Sequence, residues 1–396
     1  MAMRKLQITA AAVALLLFFS STSDAQIFDV TKYGAKADGK SNIDKALMSV
    51  WKLACASTSP SKIVIPKGTY LLGEVKIQGP CKAPVEIQVQ GTVKAPADPS
   101  SFKTDGWLTF NHIDKFTLSG GGVFDGQGKI AWEQNDCHNN TNCKMAPANL
   151  RFNFITNAWV HDITTLDSKN FHVTVLGCKN FTFLRFTVTA PEDSRNTDGI
   201  HIGRSDGIYI TDSTIGTGDD CISLGDGSRQ VHVTGVKCGP GHGISVGSLG
   251  KYQAEEPVSG FWVKNCTLTN TQNGVRVKTW PASYPGSVSD LHFEDITMVK
   301  VGYPIVIDQV YCPWNLCKPD IPSLVKINNV SFKNIRGSSS TAVAVKLVCS
   351  SKVPCKDVVV GDINLTYDGP EAPAAYSQCS NVVPSFQGKQ SPRVCA

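Results

Sequence analysis

The chain has 396 residues, with 38 Lys and Arg against 33 Asp and Glu and a formal net charge of +5. That mild excess suits an anionic partner without requiring one, and it falls short of the basic footprint expected of a nucleic-acid-binding protein. The longest apolar run, Ala10 to Phe19, is about half of the roughly 20 residues that cross a membrane, so a transmembrane helix is not expected.

In chain order, residues 1–25 read as a secretory leader: Arg4 and Lys5, the apolar run, then Ser23-Asp24-Ala25 with the small-x-small form of a cleavage site. The remainder, 26–396, reads as one domain destined for the outside of the cell. There, fourteen cysteines, an even number, favour disulfides. Cys221 with Cys238, Cys312 with Cys317, Cys349 with Cys355 and Cys379 with Cys395 are close enough to clip local loops, while Cys266 falls in an apolar slot and reads as a free buried thiol. No paired CxxC motif supports a metal site. Asn139, Asn180, Asn265, Asn329 and Asn364 open Asn-x-Ser/Thr sequons, the acceptors of N-linked glycans.

Phe28 to Lys40 reads as a strand and a glycine turn. Asn42 to Ala54 carries the one convincing helical pattern, with Ile43, Ala46, Leu47, Val50, Trp51 and Ala54 on one side. Such a helix would cap the end of a sheet. From Ile63 onward no comparable helix is expected, and one pattern recurs: apolar, any, apolar, any, any, apolar, any, apolar. It fits Phe181/Phe183/Phe186/Val188, Ile208/Ile210/Ser213/Ile215, Val231/Val233/Val236/Cys238 and Phe261/Val263/Cys266/Leu268. It continues in Leu291/Phe293/Ile296/Met298, Val325/Ile327/Val330/Phe332 and Val358/Val360/Ile363/Leu365. Each copy precedes a second alternating strand, as in Gly199-Ile-His-Ile, Cys221-Ile-Ser-Leu and Gly243-Ile-Ser-Val. Short strands recurring every 23 to 34 residues without helices between them predict an all-β solenoid, a parallel β-helix of about ten coils with a short N-terminal capping helix. A β-sandwich would instead give hairpin turns and no register shared between copies.

Stacked coils turn sequence spacing into distance. Asp198, Asp220 and His242 are 22 residues apart, and aligning the second strands at Asp198, Asp220, His242 and Asn273 places them one above another at ~4.8 Å per coil. Asp219 then stands beside the two aspartates. Positions one, three and five further on face outward, among them His201, Ser223, Ser245, Arg276 and Lys278. An Asp before Gly is ordinarily a turn residue. Three carboxylates on one ledge, however, raise one another's pKa values, a cost that a purely structural ledge has no reason to carry. An Arg and a Lys on the same face point to an anionic ligand.

Asn196-Thr197-Asp198, Gly218-Asp219-Asp220-Cys221, Gly241-His242-Gly243 and Arg276-Val277-Lys278, in this order and at these intervals, resemble the four signature motifs of polygalacturonases, the pectin-cleaving glycoside hydrolases of family 28. The resemblance spans the mature chain from Tyr33-Gly-Ala-Lys-x-Asp-Gly to the C-terminal cysteines, and is strongest to the plant pollen-type exo-acting members. It implies a right-handed parallel β-helix that hydrolyses α-1,4 links between galacturonic acid units with inversion, without a metal or other cofactor. Carried onto this chain, Asp219 would be the general acid, Asp198 and Asp220 would hold and activate the water, and His242 would tune the acid. Arg276 and Lys278 would bind a substrate carboxylate, Asn196 would support the site, and Tyr311 would contact sugar. The expected partner is pectin or polygalacturonate, met by a secreted monomer with no nucleic-acid or membrane partner. For exo action, the segments 247–260 and Cys137 to Cys143 are the candidates for closing the cleft.

Other readings fit parts of the same pattern. An endo-acting enzyme would keep the chemistry in an open cleft. A pectate lyase would use calcium and a basic proton abstractor, with Arg276, Lys278 and the aspartates as its raw material. A rhamnogalacturonan-type hydrolase would keep the aspartates but has less need of the Arg-Lys pair. A non-catalytic wall-binding β-helix would need no carboxylate cluster.

Overall fold

A computed structural model describes residues 25–137, 140, 143–313, 317–369 and 375–395. The leader up to residue 24 and the sequon at Asn139 lie outside the described residues. The chain winds into a right-handed parallel β-helix. Eleven strands, from Val75–Gln78 to Tyr376–Ser380, stack into one sheet, and 21 further strands build the remaining walls. The handedness is that of parallel crossovers generally.

The repeat has a physical cause at its two undefined positions. In register from coil to coil stand Val160, Phe183, Ile210, Val233, Val263, Phe293, Phe332 and Val360. Two residues beyond each, the backbone turns a corner through one left-handed residue: Asp162, Arg185, Asp212, Gly235, Asn265, Asp295, Asn334 or Asp362, with φ from 47° to 69°. Mostly Asp, Asn and Gly tolerate that conformation, and the corner delivers the next apolar side chain back to the interior.

A second corner of the same kind precedes these strands, at Asn157, Asn180, Gly207, Gln230, Gly260, Asp290, Asn329 and Asp357. It explains why one expected copy is displaced. Leu291 pairs with Val330 and Phe293 with Phe332, so the copy equivalent to Leu291/Phe293/Ile296/Met298 is Val330/Phe332/Ile335/Gly337. Val325/Ile327/Val330/Phe332 straddles the preceding corner, which has the same spacing, and Gly337 hides the true copy from an apolar pattern. At these corners side-chain amides link coils: Asn180 Nδ2 donates to Asn157 Oδ1 at 2.8 Å and Asn329 Nδ2 to Asp290 Oδ1 at 3.0 Å.

The other expected apolar slots point inward and are buried. Their side chains stack along the axis, as in Phe110 on Phe152 at 5.0 Å and Phe293 on Phe332 at 5.2 Å between centroids. Helix α1 (Asp44–Ala56) covers the first coil with Ala46, Leu47, Val50, Trp51 and Ala54. It begins two residues later than expected because Asn42 ends the strand Asp38–Asn42 and its Oδ1 accepts from the Asp44 amide, just ahead of the helix. A second short helix, α2 (Lys129–Gln134), was not anticipated.

All four expected disulfides are formed, joined by Cys55–Cys81 and Cys137–Cys143. Cys266 is free and buried as expected, and so is Cys178.

Because each coil rests on its neighbours, one void disrupts a whole stack. Phe293, fully buried between Phe261 and Phe332, tests this: Phe293→Ala should cost about 3–5 kcal/mol, read as a lower urea midpoint at unchanged slope.

Candidate active site

The residues singled out in the sequence gather at the start of four neighbouring strands of the eleven-stranded sheet: Ile200–Gly203, Asp220–Leu224, Gly243–Leu249 and Asn273–Thr279. Ile200, Ile222, Ile244 and Val275 are in register and point inward, which fixes the outward residues. Thr197, fully buried, binds the first two coils together. Its hydroxyl donates to Ser194 O at 2.9 Å and accepts from the Gly218 amide at 3.1 Å. The Asn-Thr-Asp and Gly-Asp-Asp segments are thereby held side by side.

His242 does not sit over Asp220 as simple counting implies. Asp220 pairs with Gly243, and Ile222 with Ile244, so Cys221, anchored to Cys238, is an extra residue that bulges and moves the register by one. His242 therefore meets Asp219: its amide donates to Asp219 O at 2.7 Å, and its Nδ1 lies 3.0 Å from Asp219 Oδ1. Both flanking glycines are obligatory. At Gly241 (φ 143°) a Cβ would come within 2.6 Å of Asp219 O, and at Gly243 (φ 93°) within 2.2 Å of Asn273 O.

The three carboxylates occupy three different environments. Asp220, 1% exposed, accepts from Ser245 Oγ at 2.7 Å and Arg276 Nη2 at 2.8 Å on Oδ1, and from Lys278 Nζ at 2.6 Å on Oδ2. Burial alone would raise its pKa, but Lys278 and Arg276 hold it well below the usual carboxylate range. Asp198, also buried, receives one hydroxyl, from Ser223 Oγ at 2.7 Å. Burial first, then the charges of Asp219 and Asp220, push it well above the usual range. Asp219 lines the cleft, with its Oδ1 accepting from the Asp220 amide at 2.7 Å as well as meeting His242.

The cleft has a volume of about 1090 Å³ and runs across the coils from Asn135 to Lys346. Asp219, His242, Arg276, Asn196 and Tyr311 line it. Arg276 and Lys278, expected to bind a substrate carboxylate, are both buried on Asp220, and of the two only Arg276 reaches the cleft wall. Tyr311 covers the pair, with Lys278 Nζ 5.3 Å and Arg276 Cζ 5.8 Å from its ring centroid. Burial pushes the Tyr311 phenol above its ordinary pKa. Ser223 and Ser245 were legible only as outward residues; that each would hydrogen-bond one aspartate follows from their lying in adjacent coils at one register position.

The two loops expected to restrict the cleft behave differently. Segment 247–260 folds on itself, with Glu255 accepting from the Gly250 and Tyr252 amides at 2.5 and 2.9 Å and Lys251 lying over Trp280; none of it lines the cleft. The Cys137 to Cys143 segment lines it through Cys137, with Asn135 just ahead, while residues 138, 139, 141 and 142 lie outside the described residues. The connection 126–147 leads into strand Ala148–Asn153, two places before Ile200–Gly203 in the sheet, so its tip must travel roughly 10 Å along the axis to reach the site. It does so: Asn135 Nδ2 donates to Asn196 Oδ1 at 3.4 Å, and Arg195 Nη1 donates to Asn135 O at 3.0 Å. The Cys137–Cys143 disulfide lies next to this contact, and Cys137 lines the cleft.

Asp219, Asp220 and His242 bring one ligand atom each within 4.8 Å of one another, a spacing that could hold a cation. Arg276 and Lys278 already neutralise Asp220, which argues against a further cation there.

Residues 55–391 match the family model described as glycosyl hydrolases family 28. The chain is 56% identical over 391 residues to a polygalacturonase of Nicotiana tabacum, covering 99% of this chain and 97% of that one. It is 59% identical to an exopolygalacturonase of Oenothera organensis, over 89% of this chain and 97% of the other. Among solved structures, an endo-xylogalacturonan hydrolase from Aspergillus tubingensis superposes with a TM-score of 0.76 at 22% identity, over 92% of this chain and 100% of that one.

The Asp220 cluster yields a stability prediction. A carboxyl whose folded pKa is depressed contributes stability above its unfolded value, ~3.9, and loses it only as pH falls through the folded value. In denaturant titrations, Lys278→Met should destabilise the fold by about 3–5 kcal/mol at pH 7, the loss shrinking as pH falls and Asp220, freed of Lys278, takes up a proton. Adding Asp220→Asn should recover much of that loss.

Proposed function

The chain belongs to the glycosyl hydrolases of family 28, and on that premise we propose how its cleft works as a polygalacturonase that removes galacturonate from the non-reducing end of polygalacturonate. The observation that carries the reading is the contrast among the three carboxylates. Asp219 alone lines the cleft, and its Oδ1 is occupied by the Asp220 amide and His242. That leaves Oδ2 to carry the proton that passes to the leaving oxygen, which makes Asp219 the general acid, with His242 orienting it.

Asp220, kept ionised by Arg276 and Lys278, accepts three hydrogen bonds, two of them from cations, and so is a weak base; it supplies fixed negative charge beside the developing oxocarbenium ion. Asp198, whose environment raises its basicity, takes the proton from the attacking water. The water oxygen bonds to the anomeric carbon as the glycosidic C–O bond breaks, and the Asp219 proton goes to the departing sugar. One displacement of this kind inverts the configuration. Arg276, on the cleft wall and shared with Asp220, is placed to meet a galacturonate carboxylate; Lys278 acts from beneath through Asp220. Tyr311 and Asn196 bound the sugar sites on either side.

Exo action is supported by Asn135 and Cys137, which the connection ahead of Ala148 brings to the cleft wall beside Asn196, where they would limit how far a chain can thread. The substrate class is the de-esterified stretches of pectin, and the setting the plant cell wall. Six disulfides fit an oxidising compartment, and among the described residues no helix is long and apolar enough to cross a membrane.

Asp219→Asn should lower turnover on polygalacturonate by ~10²–10⁴ with little change in binding; retention of a tenth of the activity would exclude Asp219 as the acid. With the wild-type enzyme, monogalacturonate should be the first product and viscosity should fall slowly relative to new reducing ends. Early oligomers with a steep viscosity drop would show an endo-acting cleft.

A further inference from the structure

Two serines in adjacent coils, Ser223 and Ser245, stand at one register position and each donates its hydroxyl to one of the buried aspartates. A hydroxyl has a single proton, so whatever else touches its oxygen must itself be a donor. Ser245 meets this condition through Arg276, whose Nε donates to its Oγ at 3.1 Å, and a guanidinium has no acceptor to offer. On Ser223 the corresponding neighbour is His201, with Nδ1 2.7 Å from Ser223 Oγ. An imidazole can donate or accept there. If it accepted, the Ser223 proton would turn to the ring and Asp198 would lose its hydroxyl donor.

We propose that His201 is a positioning residue for the hydrolysis: held as the Nδ1–H tautomer, it donates to Ser223 Oγ, which fixes the Ser223 hydroxyl on Asp198 Oδ2 and so sets the readiness of Asp198 to take the proton from water. The proposal rests on the reading of Asp198 as the proton acceptor. The ring is held in place by Phe171, whose centroid is 5.0 Å away, and by its in-register pairing with Ser223. The charged groups facing it are Lys278, Asp220, Asp226 and Arg151; those facing Asp198 are Asp219, Asp220 and Lys278. Burial pushes His201 down to about 4, which keeps the ring neutral over the range in which a carboxylate base works. Asp220 is thus served through a serine by a permanent cation and Asp198 by a neutral ring, and this difference lets one stay ionised while the other can exchange a proton.

The test compares kcat/KM for polygalacturonate against pH in four folded variants. Ser223→Ala removes the hydroxyl. His201→Phe keeps a ring beside Phe171 but removes the donor, and His201→Asn restores an N–H near the Nδ1 position. Losing a hydrogen bond to the charged form raises the pKa of the base, so the acidic limb should move upward by about one pH unit in Ser223→Ala and His201→Phe. The deficit should be greatest below the limb and shrink above it, and His201→Asn should return the limb towards wild type. A loss equal at every pH, or an Asn variant no better than Phe, overturns the relay. Should His201→Phe fail to fold, His201→Leu takes its place, and a limb that stays at the wild-type position in it while Ser223→Ala moves removes His201 from the relay. Asp198→Asn separates this proposal from its premise: if it keeps more than a tenth of the activity, Asp198 is not the base, whereas an inactive Asp198→Asn with unmoved limbs in the other variants removes the relay only.

Discussion

Parallel pairing of every coil with the next is the constraint on which the rest of the molecule depends. It sets neighbouring backbones ~4.8 Å apart, with side chains of equivalent positions in contact along the axis. The same ladder that stacks Phe293 on Phe332 inside the solenoid also puts Ser223 beside Ser245 and His201 beside Ser223 on its outer face. Core and active site are therefore two readings of one register. Sequence separation has little bearing on proximity here; phase within the coil decides it.

That dependence explains what could be read in the chain and what could not. Inward slots announce themselves by chemistry, because only apolar side chains fill a dry interior, and the fold was legible for that reason. Left-handed corners are legible in composition but not in identity: both corners of a coil present the same spacing, which is why Val325 was taken for the start of a copy that begins at Val330. The site followed the same division. Asp198, Asp219, Asp220 and His242 come together as their motifs implied, yet the partner of His242 depended on the bulge at Cys221, and nothing in a local pattern announces one extra residue. Arg276 and Lys278 were recognisable as cations on the right face. Their engagement with Asp220 was not, since an outward position on a strand carries no sign of the loops that bury it.

Electrostatically the site joins two opposed demands. A buried carboxylate is held strongly acidic only when cations and hydroxyls replace water, as at Asp220; with a hydroxyl but no cation bonded to it, its affinity for a proton rises, as at Asp198. Setting these environments one coil apart gives a single ledge two carboxyl groups of contrasting basicity. Asp219, between them and open to the cleft, is exposed to both fields. Catalytic power in such a site comes from arranging fixed charges before substrate arrives, and the rigid ladder beneath is what holds them.

The connection 126–147 belongs to no ladder. It leaves the coil after Asp125, places Asn135 against Asn196 two coils away and returns at Ala148, with a local staple at Cys137–Cys143. Lengthening or trimming such an excursion costs little, since closure entropy grows only by about 0.6 kcal/mol for each doubling of length, and no strand register is disturbed. On the exo-acting reading proposed above, how far a polymer threads past the aspartates would be an adjustable trait, separable from the chemistry. A lineage could pass between nibbling at chain ends and cutting mid-chain by editing this one excursion, while the buried carboxylates beneath it stayed untouched.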